Sequence, residues 1–178
     1  MEEIKGIYGT DNIAVMQTMF QNCKNLTKIE SSINCSSLTN SIAMFNGNFV
    51  LQEIPELIGL GDSTLSDAYA MFANCREVTS IPLFDTSHIK NLQQLCWQCY
   101  KLESIPDYDF SSVTNVQGLF KDCYNVSEGI LETYDKLLAR GDAITNHTDC
   151  FLNCGQDTPE GQAALAQIPT SWGGLKEE

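Results

Sequence analysis

A chain of 178 residues with 43% hydrophobic and 19% charged content is long and apolar enough to bury a core, which excludes a disordered chain. Ten Lys plus Arg stand against 23 Asp plus Glu, a formal net charge of −13. That surface repels phosphate backbones and anionic headgroups, so nucleic acid and membrane insertion are disfavoured.

The opening MEEIKGIYG has no basic segment followed by an apolar run, so no signal peptide is expected, and no apolar run reaches the length of a membrane span. From Met19 the chain repeats itself. MFQNCKNLTKIE (Met19 to Glu30) aligns with MFANCREVTSIP (Met71 to Pro82), LCWQCYKLESIP (Leu95 to Pro106) and LFKDCYNVSEGI (Leu119 to Ile130). MFNGNFVLQEIP (Met44 to Pro55) is a diverged copy, and a last one starts at CFLNCG (Cys150 to Gly155). The anchor residues are Phe20, Phe45, Phe72, Cys96, Phe120 and Phe151, spaced 24 to 31 residues apart. A near-constant period of that length is the mark of a stacked repeat array.

Ahead of each anchor, apolar residues recur at every third position, as in Ile89, Leu92 and Leu95 or Val113, Val116 and Leu119. This spacing predicts one or two helical turns with a single buried stripe. Asp62-Ser63-Thr64, Asp85-Thr86-Ser87 and Ser111-Ser112 supply side-chain oxygens where such helices would start. After the anchor, Val78 to Pro82 and Leu102 to Pro106 predict strands of three to five residues, ended by proline. Neither half buries a face alone. Stacked copies do, which predicts an α/β leucine-rich-repeat-like solenoid: a narrow parallel sheet of short strands, with short helical turns on the other side.

The cysteines fit that frame. Cys23, Cys75, Cys99, Cys123 and Cys154 each lie three residues after an anchor, forming a structural ladder of small buried side chains, and Asn48 takes this slot in the diverged copy. Cys96 and Cys150 fill core slots, and Cys35 alone has no place in the pattern. Free thiols are expected rather than disulfides. Cys96-Trp97-Gln98-Cys99 is then repeat chemistry, not a redox motif, and His147, Cys150 and Cys154 are core side chains, not zinc ligands. No catalytic residue, metal or cofactor is expected.

After Val126, residues 128–140 place Ile130, Leu131, Tyr134, Leu137 and Leu138 at helical spacing, with Gly141 as a stop. Thr158-Pro159-Glu160 starts a second helix, expected to reach Ile168 before Pro169, with Trp172 folding back on the last repeat. Residues 1–127 are therefore the repeats, and 128–178 a helical insertion, last repeat and C-terminal cap of the same domain. No comparable cap precedes the first repeat. Either the first residues pair with something or another protein covers that end, and the second is the expectation; a homo-oligomer is also compatible. Outward strand residues Lys28, Glu53, Ser80 and Ser104 are the candidate binding residues.

The unit MFANCREVTSIPLFDTSHIKNLQQL resembles the repeats of BspA-like leucine-rich repeat surface proteins over residues 13–130. The tail, with NHTDCFLNCG, TPEGQAALAQIP and SWGG, resembles the ending of such arrays encoded by gut bacteria and their phages. The resemblance implies adhesion or surface recognition without catalytic residues. With no signal expected, the favoured setting is a phage virion surface, as a decoration, fibre or adhesion module. A bacterial cell-surface adhesin fragment binding a host protein or glycan is the alternative.

Overall fold

The computed structural model describes residues 2–62 and 64–177. Its strands are β1 (Glu2–Ile4), β2 (Leu26–Ile29), β3 (Ile33–Asn34) and β4 (Leu57–Ile58), and its α-helices are α1 (Ile130–Leu138) and α2 (Pro159–Leu165). β1 pairs in parallel with β2, and β3 with β4. Elsewhere parallel pairing shrinks to single bridges, among them Val15 to Asn40, Asp67 to Asn91, Asn91 to Asn115, Asn115 to Asn146 and Ser104 to Glu128. Of the expected strands, Val78 to Pro82 is extended but unpaired as a strand, and Leu102 to Pro106 holds only the Ser104 bridge. Prolines 82 and 106 lack the N–H that would continue a ladder.

Most of the order lies in turns. The N–H of each anchor donates to the carbonyl of the residue just before the next anchor: Phe20 to Met44, Phe45 to Met71, Phe72 to Leu95, Cys96 to Leu119 and Phe120 to Cys150, at 2.9–3.0 Å. In the first repeat Met16, Thr18 and Asn22 donate in the same direction, to Asn40, Ile42 and Asn46. The intervening N–H groups turn inward: Met19 donates to Met16, Gln21 to Thr18 and Cys23 to Phe20. Every second amide thus joins neighbouring repeats, and every other one closes a turn.

This alternation needs left-handed backbone at fixed places. Thr18, Ala43, Ala70, Gln94, Gly118 and Asp149, two residues before the anchors, have φ between 52° and 60°. Two residues after the anchors, Asn22, Gly47, Asn74, Gln98, Asp122 and Asn153 have φ between 59° and 82°. All ten non-glycine residues of positive φ among the described residues occupy these two slots. A left-handed residue every fourth position cannot continue an α-helix. The segments Ile89–Leu95 and Val113–Leu119, expected as helical turns, therefore run as hydrogen-bonded turns, although their apolar stripe is buried as the spacing requires. The caps differ likewise. Asp85 accepts from Ser87 N–H at 2.8 Å and Asp109 from Ser111 N–H at 2.6 Å, closing turns rather than starting helices. Ser63, in the third expected cap, lies outside the described residues.

One hydrophobic core runs through all six repeats. Anchor rings stack between consecutive repeats, Phe20 on Phe45 at 5.3 Å and Phe45 on Phe72 at 6.0 Å, with Phe120 on Phe151 at 6.3 Å. At the C-terminal end α1 buries Ile130, Thr133 and Leu137, while Leu138 is exposed. The Thr158 hydroxyl caps α2 by accepting from Gly161 N–H and donates to the Val126 carbonyl, tying the helix to the fifth repeat. α2 stops at Leu165, three residues short of the expected end. Trp172 lies over the last repeat: its ring packs edge-on against Tyr134, and its carbonyl accepts from Phe151 N–H. At the other end the opening residues do pair, since β1 extends the strand side of the first repeat. Among the described residues its turn side has no such cover.

Candidate functional site

The four sequence-predicted binding residues share one slot, eight residues after the anchors, and the structure sets them in a row on one face. Lys28 and Glu53 meet as an exposed ion pair at 3.3 Å, a contact worth at most about 1 kcal/mol. Ser80 is exposed. Ser104 is half-buried and bridges in parallel to Glu128, which extends the row by one repeat. The constant part of each repeat is buried while this slot carries Lys, Glu, Ser, Ser and Glu in turn, so the face is chemically uneven along its length.

Ser104 opens into a groove of about 740 Å³ between the fourth and fifth repeats and the two helices. It is lined by the carboxylate-bearing residues Asp107, Glu128, Glu132 and Glu160 together with Ile105, Leu131 and Ala164. Asp107 is partly neutralised by Lys136 of α1, whose ammonium also donates to the Tyr108 carbonyl. Gly129 lets the chain pass close to Ile105: its φ is 87°, and a side chain there would strike the Ile105 carbonyl. Among the described residues no His, Cys, Asp and Glu cluster is arranged to hold a metal ion.

The cysteine row occupies the core. Cys75, Cys99, Cys123 and Cys154 are fully buried, and Cys23, in the first repeat, is partly so. The Cys75 thiol donates to the Phe45 carbonyl at 3.3 Å, Cys99 to Phe72 at 3.2 Å and Cys123 to Cys96 at 3.0 Å. Each thiol thus ties itself to the previous anchor. All eight cysteines are free. Burial pushes the Cys75, Cys96, Cys123 and Cys150 thiols well up, and Cys35, whose thiol donates to Ile33, to about 11. His147 lies flat on the Trp172 ring at 4.1 Å and reaches the Ser171 carbonyl at 3.2 Å, a packing contact with the cap.

Two further rows were legible only as scattered polar residues. Five residues before the later anchors stand Asn40, Asp67, Asn91, Asn115 and Asn146, each accepting from the N–H two residues on. Their amides reach the previous repeat: Asn91 to Asp67, Asn115 to Gln93 and Asn146 to Gln117, at 3.0–3.1 Å. Four residues after the anchors, Lys24, Phe49, Arg76, Tyr100 and Tyr124 form a cation and aromatic row. The Arg76 guanidinium lies 4.4 Å from the Phe49 ring and 5.0 Å from that of Tyr100, which stacks on Tyr124 at 4.9 Å. Phe49 lies between Lys24 and Arg76, and Tyr100 between Arg76 and Tyr124, so the row links four successive repeat junctions. A fixed offset from the anchors was the available signal for both.

Residues 2–57 and 64–139 match the family described as "Mycoplasma protein of unknown function, DUF285". The chain belongs to this family. The DUF285 match takes in the first five anchors, the row from Lys28 to Glu128 and the whole of α1. The last repeat, α2 and the Trp172 cap lie beyond it, so the groove is shared between family residues and the chain's own ending. No curated protein and no solved structure matches the chain.

Proposed function

We propose that this chain is a non-enzymatic binding module: a leucine-rich-repeat-like solenoid of BspA-like type, held through its N-terminal end and presenting the row Lys28, Glu53, Ser80 and Ser104. Its setting, in this reading, is the surface of a phage particle, as a decoration, fibre or adhesion protein. The observation that carries the proposal is the contrast between slots. Anchors, cysteines and asparagines recur to build the frame, whereas the slot eight residues after the anchors, exposed at Glu53, Ser80 and Glu128 and half-buried at Lys28 and Ser104, differs from repeat to repeat. A regular frame that offers unlike side chains at a regular spacing suits an extended ligand surface. The fully buried thiols support the same reading, because a nucleophile without solvent access has no substrate to meet.

The test has two readings. Mass spectrometry of purified particles is expected to find the chain in the virion. Binding of the isolated chain to host cells is expected to fall at least about tenfold in a Ser80→Arg, Ser104→Arg double variant of unchanged melting temperature, a loss of roughly 1.4 kcal/mol. Absence from particles contradicts the setting, and unchanged binding contradicts the face.

A further inference from the structure

In the turn ladder, from four residues before each anchor to two after it, the hydrogen bonds between repeats run one way, while those just ahead of the ladder and on the strand side run the other, as from Thr39 and Asn40 to Ala14 and from Glu103 to Thr79. In the first five repeats the alternate N–H groups donate toward the C-terminal end, and the receiving carbonyls lie one residue before each donor slot of the next repeat. Within the ladder each repeat thus shows donors on one side and acceptors on the other. In the first repeat the acceptor positions equivalent to Asn40, Ile42, Met44 and Asn46 are Val15, Gln17, Met19 and Gln21. Among the described residues no N–H or hydroxyl donates to these four carbonyls. They form a row of four acceptors at every second residue, flanked by apolar side chains. Met19 is 41% exposed, whereas Met44, Met71, Leu95, Leu119 and Cys150 in the same slot are each 0% exposed. Val15 is 58% exposed and stands where the later repeats carry Asn or Asp.

We propose that this edge docks a segment of a partner protein folded in the same turn-ladder conformation, with outward N–H groups at every second residue. The proposal rests on the reading that the N-terminal end is the mount, and it names the chemistry of that mount. The chemistry selects the partner. A regular strand presents carbonyls along with its N–H groups, and would set acceptor against acceptor at this edge. A second copy approaching by its own N-terminal edge sets the ladder carbonyls against carbonyls. A second copy approaching by its C-terminal end finds the anchor donor already used, because Phe151 N–H is taken by the Trp172 carbonyl and that residue covers the end. What remains is a heterologous repeat with an uncovered donor side, whose pairing would also cover Val15 and Met19.

The experiment joins a copy of residues 91–101 directly before Glu2 in the full chain. In that register the copies of Leu92, Gln94, Cys96 and Gln98 face the carbonyls of Val15, Gln17, Met19 and Gln21. Their amides are expected to exchange at least about tenfold more slowly than in an unstructured peptide. Oxidation of Met19 is expected to slow with them. A second graft, with proline at the copies of Gln94 and Gln98, removes two donors and is expected to lose both effects. Graft amides that exchange as a free chain would overturn the proposal.

Attachment of the grafted chain to purified particles then reads the mount. With its edge filled it is expected to attach at least about tenfold more weakly, which is about 1.4 kcal/mol. A protected graft with undiminished attachment would overturn the assignment of this edge to a partner. Sedimentation of the ungrafted chain covers the remaining case: self-association abolished by Val15→Glu with Met19→Glu would make the partner a second copy and overturn the heterologous assignment. The exchange result concerns the edge alone, so its failure is distinguishable from failure of the binding reading, which the Ser80 and Ser104 variants test.

Discussion

Asn48 shows how much a single slot matters. It stands where four of the later repeats place a buried cysteine, is itself fully buried, and has neither amide atom partnered among the described residues. An unsatisfied buried polar group costs about 1–3 kcal/mol. Asn48→Cys puts a thiol of similar size within reach of the preceding anchor, so chemical denaturation should show a gain of about 1–3 kcal/mol. Cys35 gives a pH test. Burial raises its thiol to about 11, against about 8.5 for a free cysteine. The folded state therefore holds this proton longer than the unfolded state does. Its contribution is fully present below pH 8.5 and is lost as pH rises toward 11, at about 1.4 kcal/mol per unit. The wild-type melting temperature should fall between pH 7 and pH 10, and Cys35→Ala should flatten that fall. An equal fall in both proteins would contradict the assignment.

At the scale of elements, the turn ladder rests on left-handed residues that most side chains resist. Thr18 is β-branched and exposed with φ 58°, a conformation costing roughly 1–2 kcal/mol for such a residue. Thr18→Gly should accordingly raise stability by about 1 kcal/mol despite the added freedom of the unfolded chain. Gly118→Ala, in the same slot, should lower it by a similar amount. The cap depends on a close approach instead: Gly161 of α2 passes so near Gly155 that a methyl group would collide with its carbonyl. Gly161→Ala should lift α2 from the last repeat, read as faster exchange of the α2 amides with those of Phe72 and Cys96 unchanged.

The repeat period, the anchors and the burial of the cysteine row were legible in the sequence because each recurs at a fixed offset. The turn backbone was not, because apolar residues at every third position fit a helix and this ladder equally. The deciding slots hold Thr, Asn, Ala, Gln, Asp and Gly without a common residue type. Only Asn22, Asn74, Asn153, Asp122 and Asp149, with Gly47 and Gly118, carried the usual composition of left-handed positions. Of the four candidate binding residues, the common face followed from the register of the repeats. The Lys28–Glu53 pair and the acidic groove beside Ser104 depended on side-chain reach and on the packing of α1 and α2, which no offset reveals.

For the whole molecule, stability is expected to be shared along the array, since each repeat binds its neighbours through alternate amides, stacked anchors and thiols. A repeat array joined this way has little long strand or helix to report its order, and its coherence lies in amides that look local. Hydrogen exchange resolved by residue tests this most directly. The proposed solenoid predicts that the N–H groups of Phe45, Phe72, Cys96 and Phe120 exchange slowly and together, with Ala43, Ala70, Gln94 and Gly118 protected alongside them. Slow exchange confined to α1 and α2, with the anchor amides exchanging at the rate of open turns, would contradict it.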